Sequence, residues 1–277
     1  MYKTLVDGVA ASAAEHITVE DGDYVNESDG LLYCGKCHTK KQGTYTMPWG
    51  TIKPYIICKC ESERKAKEEA EQARIARVQA KRREGFADSS MEKWTFAADD
   101  GKNPKLTNAM QKYVENFDEF YKSGKGLLLW GSPGTGKTFA ACEVANALID
   151  NDYRVLVTNF TRIVNVLQGM WEGKQEYIDS LNNYHLLILD DLGVERKSEF
   201  MQEQVYNIVD SRYRAGLPMI ITTNLTSKEL YKADALANER IYDRILERCI
   251  PIEVNGESRR KQELKNTLGN MRDLLGI

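Results

Sequence analysis

Gly131-Ser132-Pro133-Gly134-Thr135-Gly136-Lys137-Thr138 is the stretch that decides the fold. Before it, Leu127-Leu128-Leu129-Trp130 reads as a short buried strand; after it, Phe139 to Ile149 reads as an amphipathic helix. A glycine-rich loop between strand and helix is the setting of a phosphate-binding P-loop. The glycines let successive N–H groups turn inward on a triphosphate, and the helix N-terminus adds partial positive charge. Lys137 is then placed for the β- and γ-phosphates, and Thr138 can offer its hydroxyl to Mg²⁺. An ordinary glycine-rich turn rarely carries both neighbours. The stretch predicts binding of a nucleoside triphosphate.

Further out, the chain alternates. Candidate strands are Leu127–Trp130, Val155–Phe160, Leu186–Asp190, Met219–Thr223 and Ile250–Val254. Helical patterns cover Asn108–Tyr121, Lys137–Asp150, Arg162–Trp171, Glu199–Ala215, Asn238–Cys249 and Ser258 to the C-terminus. Such alternation implies βαβ units and a mainly parallel sheet with helices on both faces. Ligands then bind beyond the carboxyl ends of the strands, where the glycine-rich loop lies.

Two of those strand ends add chemistry. Leu186-Leu187-Ile188-Leu189 runs into Asp190-Asp191, 53 residues after Lys137. In that order this is the Walker B pattern: Asp190 to hold Mg²⁺ through water and Asp191 to polarise the attacking water. The alternative is a turn signal. Met219–Thr223 ends in Asn224, an amide able to orient water beside the γ-phosphate, or a plain turn former. Arg240, Arg244 and Arg248 recur every four residues and so share one helix face. They fit either a solvated face, since Asp243 and Glu247 each have an arginine three residues before, or an arginine supplied to a neighbouring subunit's γ-phosphate.

Composition bounds the rest. The chain has 277 residues, 42% of them hydrophobic, and a net charge of −3, which excludes a strongly basic nucleic-acid coat. No apolar run is long enough to cross a bilayer, and the N-terminus lacks a signal-peptide pattern, so a soluble cytoplasmic protein with no membrane partner is expected. Three regions separate. Residues 1–60 hold four cysteines and little periodic hydrophobicity, residues 61–85 are a helical linker of Glu, Lys, Arg, Gln and Ala, and residues 86–277 carry the alternating pattern. The linker's second half, Arg74 to Arg83, is basic and is a weak candidate for contact with nucleic acid or a partner.

Cys34-Gly35-Lys36-Cys37 and Cys58-Lys59-Cys60 present four thiols in two close pairs, 20 residues apart. Together they predict a closed tetrahedral Zn²⁺ site that staples a domain too small to fold on core burial. His38 is the one plausible substitute ligand. A redox site is the rival, but this C-x-x-C is not at a strand–helix junction. Cys142 and Cys249 lie in helical patterns and read as core.

Gly131–Thr138, Leu189-Asp190-Asp191-Leu192-Gly193, Thr222-Thr223-Asn224-Leu225-Thr226, Tyr242-Asp243-Arg244 and Glu257-Ser258-Arg259-Arg260 occur in that order. Together they resemble the AAA+ ATPases of the DnaC/DnaI type, the replicative helicase loaders with phage-encoded members, from about Phe86 to the C-terminus. The transposition ATPases of the IstB type share much of the pattern. The resemblance implies ATP held between subunits of a homo-oligomer, Gly131–Thr138 on phosphates and metal, Asp190 and Asp191 as Walker B, Asn224 as sensor 1, Arg244 as arginine finger and Arg260 as sensor 2. The family's usual aromatic before the sensor 2 arginine is Arg259 here. Many AAA+ proteins have Glu where this chain has the shorter Asp191, which implies slow hydrolysis, a switch rather than a motor.

The DnaI type carries a zinc-containing N-terminal domain that grips a hexameric replicative helicase, a layout this chain resembles and the IstB type typically lacks. Loading that helicase onto single-stranded DNA is therefore the leading expectation. An IstB-like transposition regulator and a non-catalytic ATP-binding adaptor are the alternatives. DNA binding is implied by the family; besides Arg74–Arg83, the aromatics Phe160 and Trp171 are candidates for base stacking.

Overall fold

Leu127, Leu128 and Leu129 have no polar residue between them, and a strand of that kind needs cover on both faces. The computed structural model describes residues 19–193, 199–231 and 236–275. In it β5 (Gly126–Trp130) lies inside a five-stranded sheet of order β6-β7-β8-β5-β9, formed with β6 (Val155–Asn159), β7 (Leu186–Leu192), β8 (Met219–Thr223) and β9 (Cys249–Glu253). Every neighbouring pair is parallel. This is the α/β P-loop architecture expected.

The chain divides into two compact units, Met1–Ala76 and Arg77–Ile277, and the sheet belongs to the second. On one face Leu127, Leu129, Val157 and Ile188 pack with α2 (Pro104–Glu115) and α4 (Lys137–Asp150). On the other, Leu128, Leu187, Leu189 and Ile221 meet α5 (Phe160–Gly169), α7 (Glu199–Arg214) and α9 (Leu236–Arg248). Successive strand residues alternate between the two cores, which is why the strands read as continuous apolar runs. No helix among the described residues is long and apolar enough to cross a membrane.

Several boundaries differ from the sequence reading. The helix expected over Asn108–Tyr121 is two helices, α2 and α3 (Phe117–Ser123), parted by Asn116 at φ −107° and ψ 20°. Pro104 at the first turn and Asn103, whose Oδ1 accepts from the Leu106 amide at 3.2 Å, set the earlier start. Phe160 does not end a strand. Asn159 caps α5, accepting from the Arg162 amide at 2.8 Å, so Phe160 opens that helix with no exposed surface. It is core, and the sequence reading of it as a stacking surface is corrected; Trp171 is fully exposed. Two short helices were not foreseen, α6 (Lys174–Ser180) and α8 (Ser227–Tyr231); α10 (Arg259–Leu275) starts one residue later than expected.

The linker is a helix, α1 (Lys59–Gly85), and the boundary between the units falls within it. Its basic second half is largely spoken for: Arg74 pairs with Glu71, Arg77 and Lys81 with Asp152, and Arg82 with Asp150. Gly85 lets the chain come close to β6, since a Cβ there meets the Val155 carbonyl oxygen at 2.6 Å. The first unit holds two short antiparallel hairpins, β1–β2 (Tyr24–Val25, Leu32–Tyr33) and β3–β4 (Tyr45–Met47, Gly50–Ile52).

One buried cation ties the sheet's lower edge together without a carboxylate. Arg212, at the end of α7 and fully buried, donates to the carbonyls of Leu181, Tyr184, His185 and Pro218 at 2.8–3.3 Å. Arg212→Met keeps the volume and strands those acceptors, each costing about 1–3 kcal/mol. The expected loss is about 4 kcal/mol or more, measured by urea unfolding as a lower midpoint at unchanged slope.

Candidate nucleotide site

The loop after β5 closes as its residue types require. Gly131 sits at φ 139°, and a Cβ there meets the Val254 carbonyl oxygen at 2.6 Å, so no other residue fits. Gly134 sits at φ 83° beneath Ser258, and its carbonyl accepts from the Arg259 amide at 2.9 Å. Thr135 turns its hydroxyl back to the Ser132 carbonyl at 2.9 Å. The segment Val254–Arg259 is thus laid directly on the glycine-rich loop.

Lys137 is the hub. Its ammonium donates to the carbonyls of Gly131 and Ser132 and to Asn224 Oδ1, each at 2.8 Å, using all three protons. Burial pulls its pKa down, opposed by Asp191 and Asp190, with Arg260 lowering it further. The structure therefore joins Lys137 to Asn224 and its neighbour Thr138 to Asp190.

Asp190 is held by two hydroxyls on one oxygen: Thr138 at 2.8 Å and Thr222 at 2.5 Å. Burial raises its pKa, and those two hydrogen bonds oppose the rise. Thr222 also accepts from the Asp191 amide at 3.0 Å. Sequence reasoning passed over Thr222, whose one signal was a pair of threonines closing an otherwise apolar strand. A carboxylate and a hydroxyl in contact are oxygen donors of the kind Mg²⁺ takes, so Thr138 and Asp190 fit that ion.

Asp191 stands apart from Asp190. Between the Leu189–Ile221 and Leu192–Thr223 pairs, two residues of β7 face one of β8, a β-bulge, and Asp191 takes φ 58° there. The bulge carries its carboxylate to a cleft of about 580 Å³ that also has Asn159, Thr161, Arg162 and Asn165 on its walls. Glu195, an acid four residues after Asp191, lies outside the described residues.

Arg259 was overlooked as a contact residue. Its guanidinium lies 3.1 Å from Asp100 and 6.0 Å from the centre of the Phe139 ring. Arg244 is not gathered to this site. It pairs with Asp210 of α7 at 2.8 Å, and Glu247 binds the Tyr213 hydroxyl instead of an arginine of its own helix.

In the first unit Cys34, Cys37, Cys58 and Cys60 bring their sulfurs within 4.8 Å of one another. Cys58–Cys60 and Cys34–Cys60 are 3.4 and 3.6 Å apart, too far for disulfides, and near the ~3.8 Å edge of a tetrahedron with Zn–S bonds of about 2.3 Å. The donor set fits Zn²⁺. Thr39 bridges the pairs, touching Cys37 Sγ at 3.1 Å and accepting from the Lys59 amide at 3.0 Å. Asp23 receives the Gly35 amide at 3.0 Å and the Lys41 ammonium at 2.6 Å, and the Lys41 bond holds its pKa down at about 2. His38 is exposed beside Tyr24 and outside the cluster.

Three comparisons bear on this geometry. A family model described as "IstB-like ATP binding protein" matches residues 52–267. The replicative helicase loader DnaI of Bacillus subtilis is 28% identical over 167 residues, covering 55% of this chain and 54% of that protein, so the chain spans about half of that relative's length. The phage-like element PBSX protein XkdC of the same organism is 27% identical over 228 residues, 78% of this chain and 81% of that one. A solved structure titled "Crystal Structure of the DnaI" matches 64% of this chain and 96% of its own with a TM-score of 0.53 at 24% identity, a likeness of fold.

Glu143 of α4 gives a test of the ground beneath the loop. It is buried with one oxygen unpartnered, and burial, then Asp99, push its pKa up from 4.5 to about 7, against Arg259. An acid raised in the folded state weakens the fold as pH climbs through that window. Glu143→Gln is therefore expected to match the wild type near pH 4.5 and to exceed it by roughly 1–2 kcal/mol at pH 8, after allowance for solvent screening. Urea unfolding at the two pH values measures it.

Proposed function

The chain belongs to the IstB-like ATP binding protein family, and we propose that within it this protein is a replicative helicase loader of phage-like type. On this reading it hydrolyses ATP slowly and uses ATP state to gate the loading of a hexameric helicase onto single-stranded DNA. The observation that carries the choice is the four-sulfur cluster in a separate unit ahead of the nucleotide site. It supports a domain arrangement of a zinc-stapled residues 1–60 for the helicase, a helical linker 61–85, and an AAA+ ATPase 86–277. The loaders among the relatives support the same reading.

The chemistry follows from the contacts. Lys137 exchanges its carbonyl and amide partners for the β- and γ-phosphate oxygens, and the N–H groups of Gly134, Thr135 and Gly136 face them. Freed from Lys137, Asn224 can turn its amide to the γ-phosphate. Thr138 and Asp190 would hold Mg²⁺, which supplies charge to the phosphates. Asp191 takes the proton of the attacking water. Arg260 adds positive charge from the start of α10, and Arg244 comes from a neighbouring copy, which is why it is absent from its own site. Zn²⁺ on Cys34, Cys37, Cys58 and Cys60 would close the small first unit by cross-linking two turns.

A second reading has one observation in its favour: the family's own description is IstB-like, which suits a transposition regulator acting with a transposase.

Asp191→Asn is expected to lower single-turnover hydrolysis at least about 10²-fold while leaving ATP affinity within about threefold. Equal hydrolysis by this variant rules out the base. The loader reading itself is tested by pull-down of the cognate replicative helicase with full-length protein, full-length protein stripped of zinc by chelator, and residues 77–277. Capture by the first alone is expected. Capture by residues 77–277 at equal strength moves recognition into the ATPase unit, and capture by none of the three rejects the loader.

A further inference from the structure

Arg244 is not idle in the single chain; it is held. Its guanidinium lies 2.8 Å from one oxygen of Asp210, while Arg214 Nε lies 2.8 Å from the other. The ring of Tyr206 is centred 4.6 Å from the same guanidinium and that of Tyr213 5.7 Å. Tyr213 is itself fixed, its hydroxyl donated to Glu247 and its ring met by Arg248 at 4.7 Å. Tyr206, Tyr213, Arg244 and Glu247 line an open groove of about 390 Å³ on α7 and α9, together with Arg240 and Asp243.

We propose that Asp210 is a positioning residue that parks Arg244 between the two tyrosine rings, and that assembly exchanges this carboxylate for the triphosphate of a neighbouring copy. The inference rests on the reading of Arg244 as the residue a subunit lends its neighbour. Three features carry it. One carboxylate serves two arginines, so neither is held at full strength. Asp210 is largely covered, 14% exposed, yet its Oδ1 accepts no hydrogen bond from Arg244, so charge alone holds the cation there. A triphosphate offers more charge and paired oxygens in the geometry a guanidinium prefers. The exchange therefore runs towards the neighbour once a neighbour with ATP is present, while the aromatic walls keep the guanidinium extended in the meantime. Asp210 thereby sets the protein concentration at which hydrolysis begins.

The test is steady-state ATP hydrolysis against protein concentration for the full chain, with Asp210→Asn, Arg214→Ala and Arg244→Ala. Removing the carboxylate's charge releases Arg244, so D210N is expected to lower the half-maximal concentration about two- to fivefold. Removing the competing cation leaves Asp210 wholly to Arg244, so R214A is expected to raise it by a similar factor. A role in folding alone does not move the two in opposite directions. Arg214 is 73% exposed, so R214A tests the idea even where D210N folds poorly. Shifts in the same direction, no shift in either, or a D210N plateau as low as that of R244A overturns the parking role. Full hydrolysis by R244A overturns the underlying reading of Arg244 instead, and the two failures are told apart by that variant.

Discussion

Parallel pairing is the constraint on which everything else hangs. Leu127 is in register with Ile220 on one side and Ile250 on the other, and Leu187 with Met219, so all five strands leave the sheet at one rim. The glycine-rich loop, Asp190, Asn224 and the segment from Val254 to Ser258 emerge there together with no further instruction. What holds the register is burial on both faces: Leu128, Leu129, Leu187, Leu189, Ile220 and Ile221 have no exposed surface. At about 1.5–3 kcal/mol for each such side chain, a slip of one residue, which sends every side chain to the wrong core, is prohibitive. The geometry at the rim is thus a by-product of hydrophobic register.

At that rim a buried ammonium and a half-buried acid are kept tolerable by hydrogen bonding. Lys137 has three protons and three oxygens. Asp190 has two hydroxyls on one oxygen. Those partners are the ones a triphosphate and a divalent cation would replace or join, oxygen for oxygen. The site is therefore prepared without being strained at Lys137, and an entering phosphate exchanges neutral acceptors for charged ones, adding ion pairing to bonds the ammonium already makes charge-assisted.

Much of this was legible because it is local. The strand–loop–helix around Gly131–Thr138 and the acid pair after Leu189 are patterns a few residues long, and β5, α4 and β8 lie where the sequence reading put them. What stayed hidden depends on partners far away in the chain. Nothing in the neighbourhood of Arg244 announces Asp210, 34 residues earlier on another helix. Phe160 looked like a strand residue because an apolar run does not mark where a cap intervenes; Asn159 was the missed signal. The four cysteines were legible as a set, yet the Asp23–Lys41 pair that braces the Gly35 turn was not, since an acid and a lysine 18 residues apart carry no pattern.

Asp191 joins the local and the distant. A residue at φ 58° pays for the crowding of its Cβ against the backbone, and Asp and Asn pay least among non-glycine residues because their short side chains bond locally. The β-bulge that imposes this conformation also separates the two acids, leaving Asp190 on the hydroxyls of Thr138 and Thr222 and sending Asp191 to the cleft beside α5. Glutamate at 191 would gain a methylene of reach and lose part of that backbone tolerance. The short second acid is then not an isolated substitution on an otherwise standard site but the residue the bulge selects. In the proposed mechanism, slow hydrolysis follows from the path of strand β7, and a single change of side chain does not undo it.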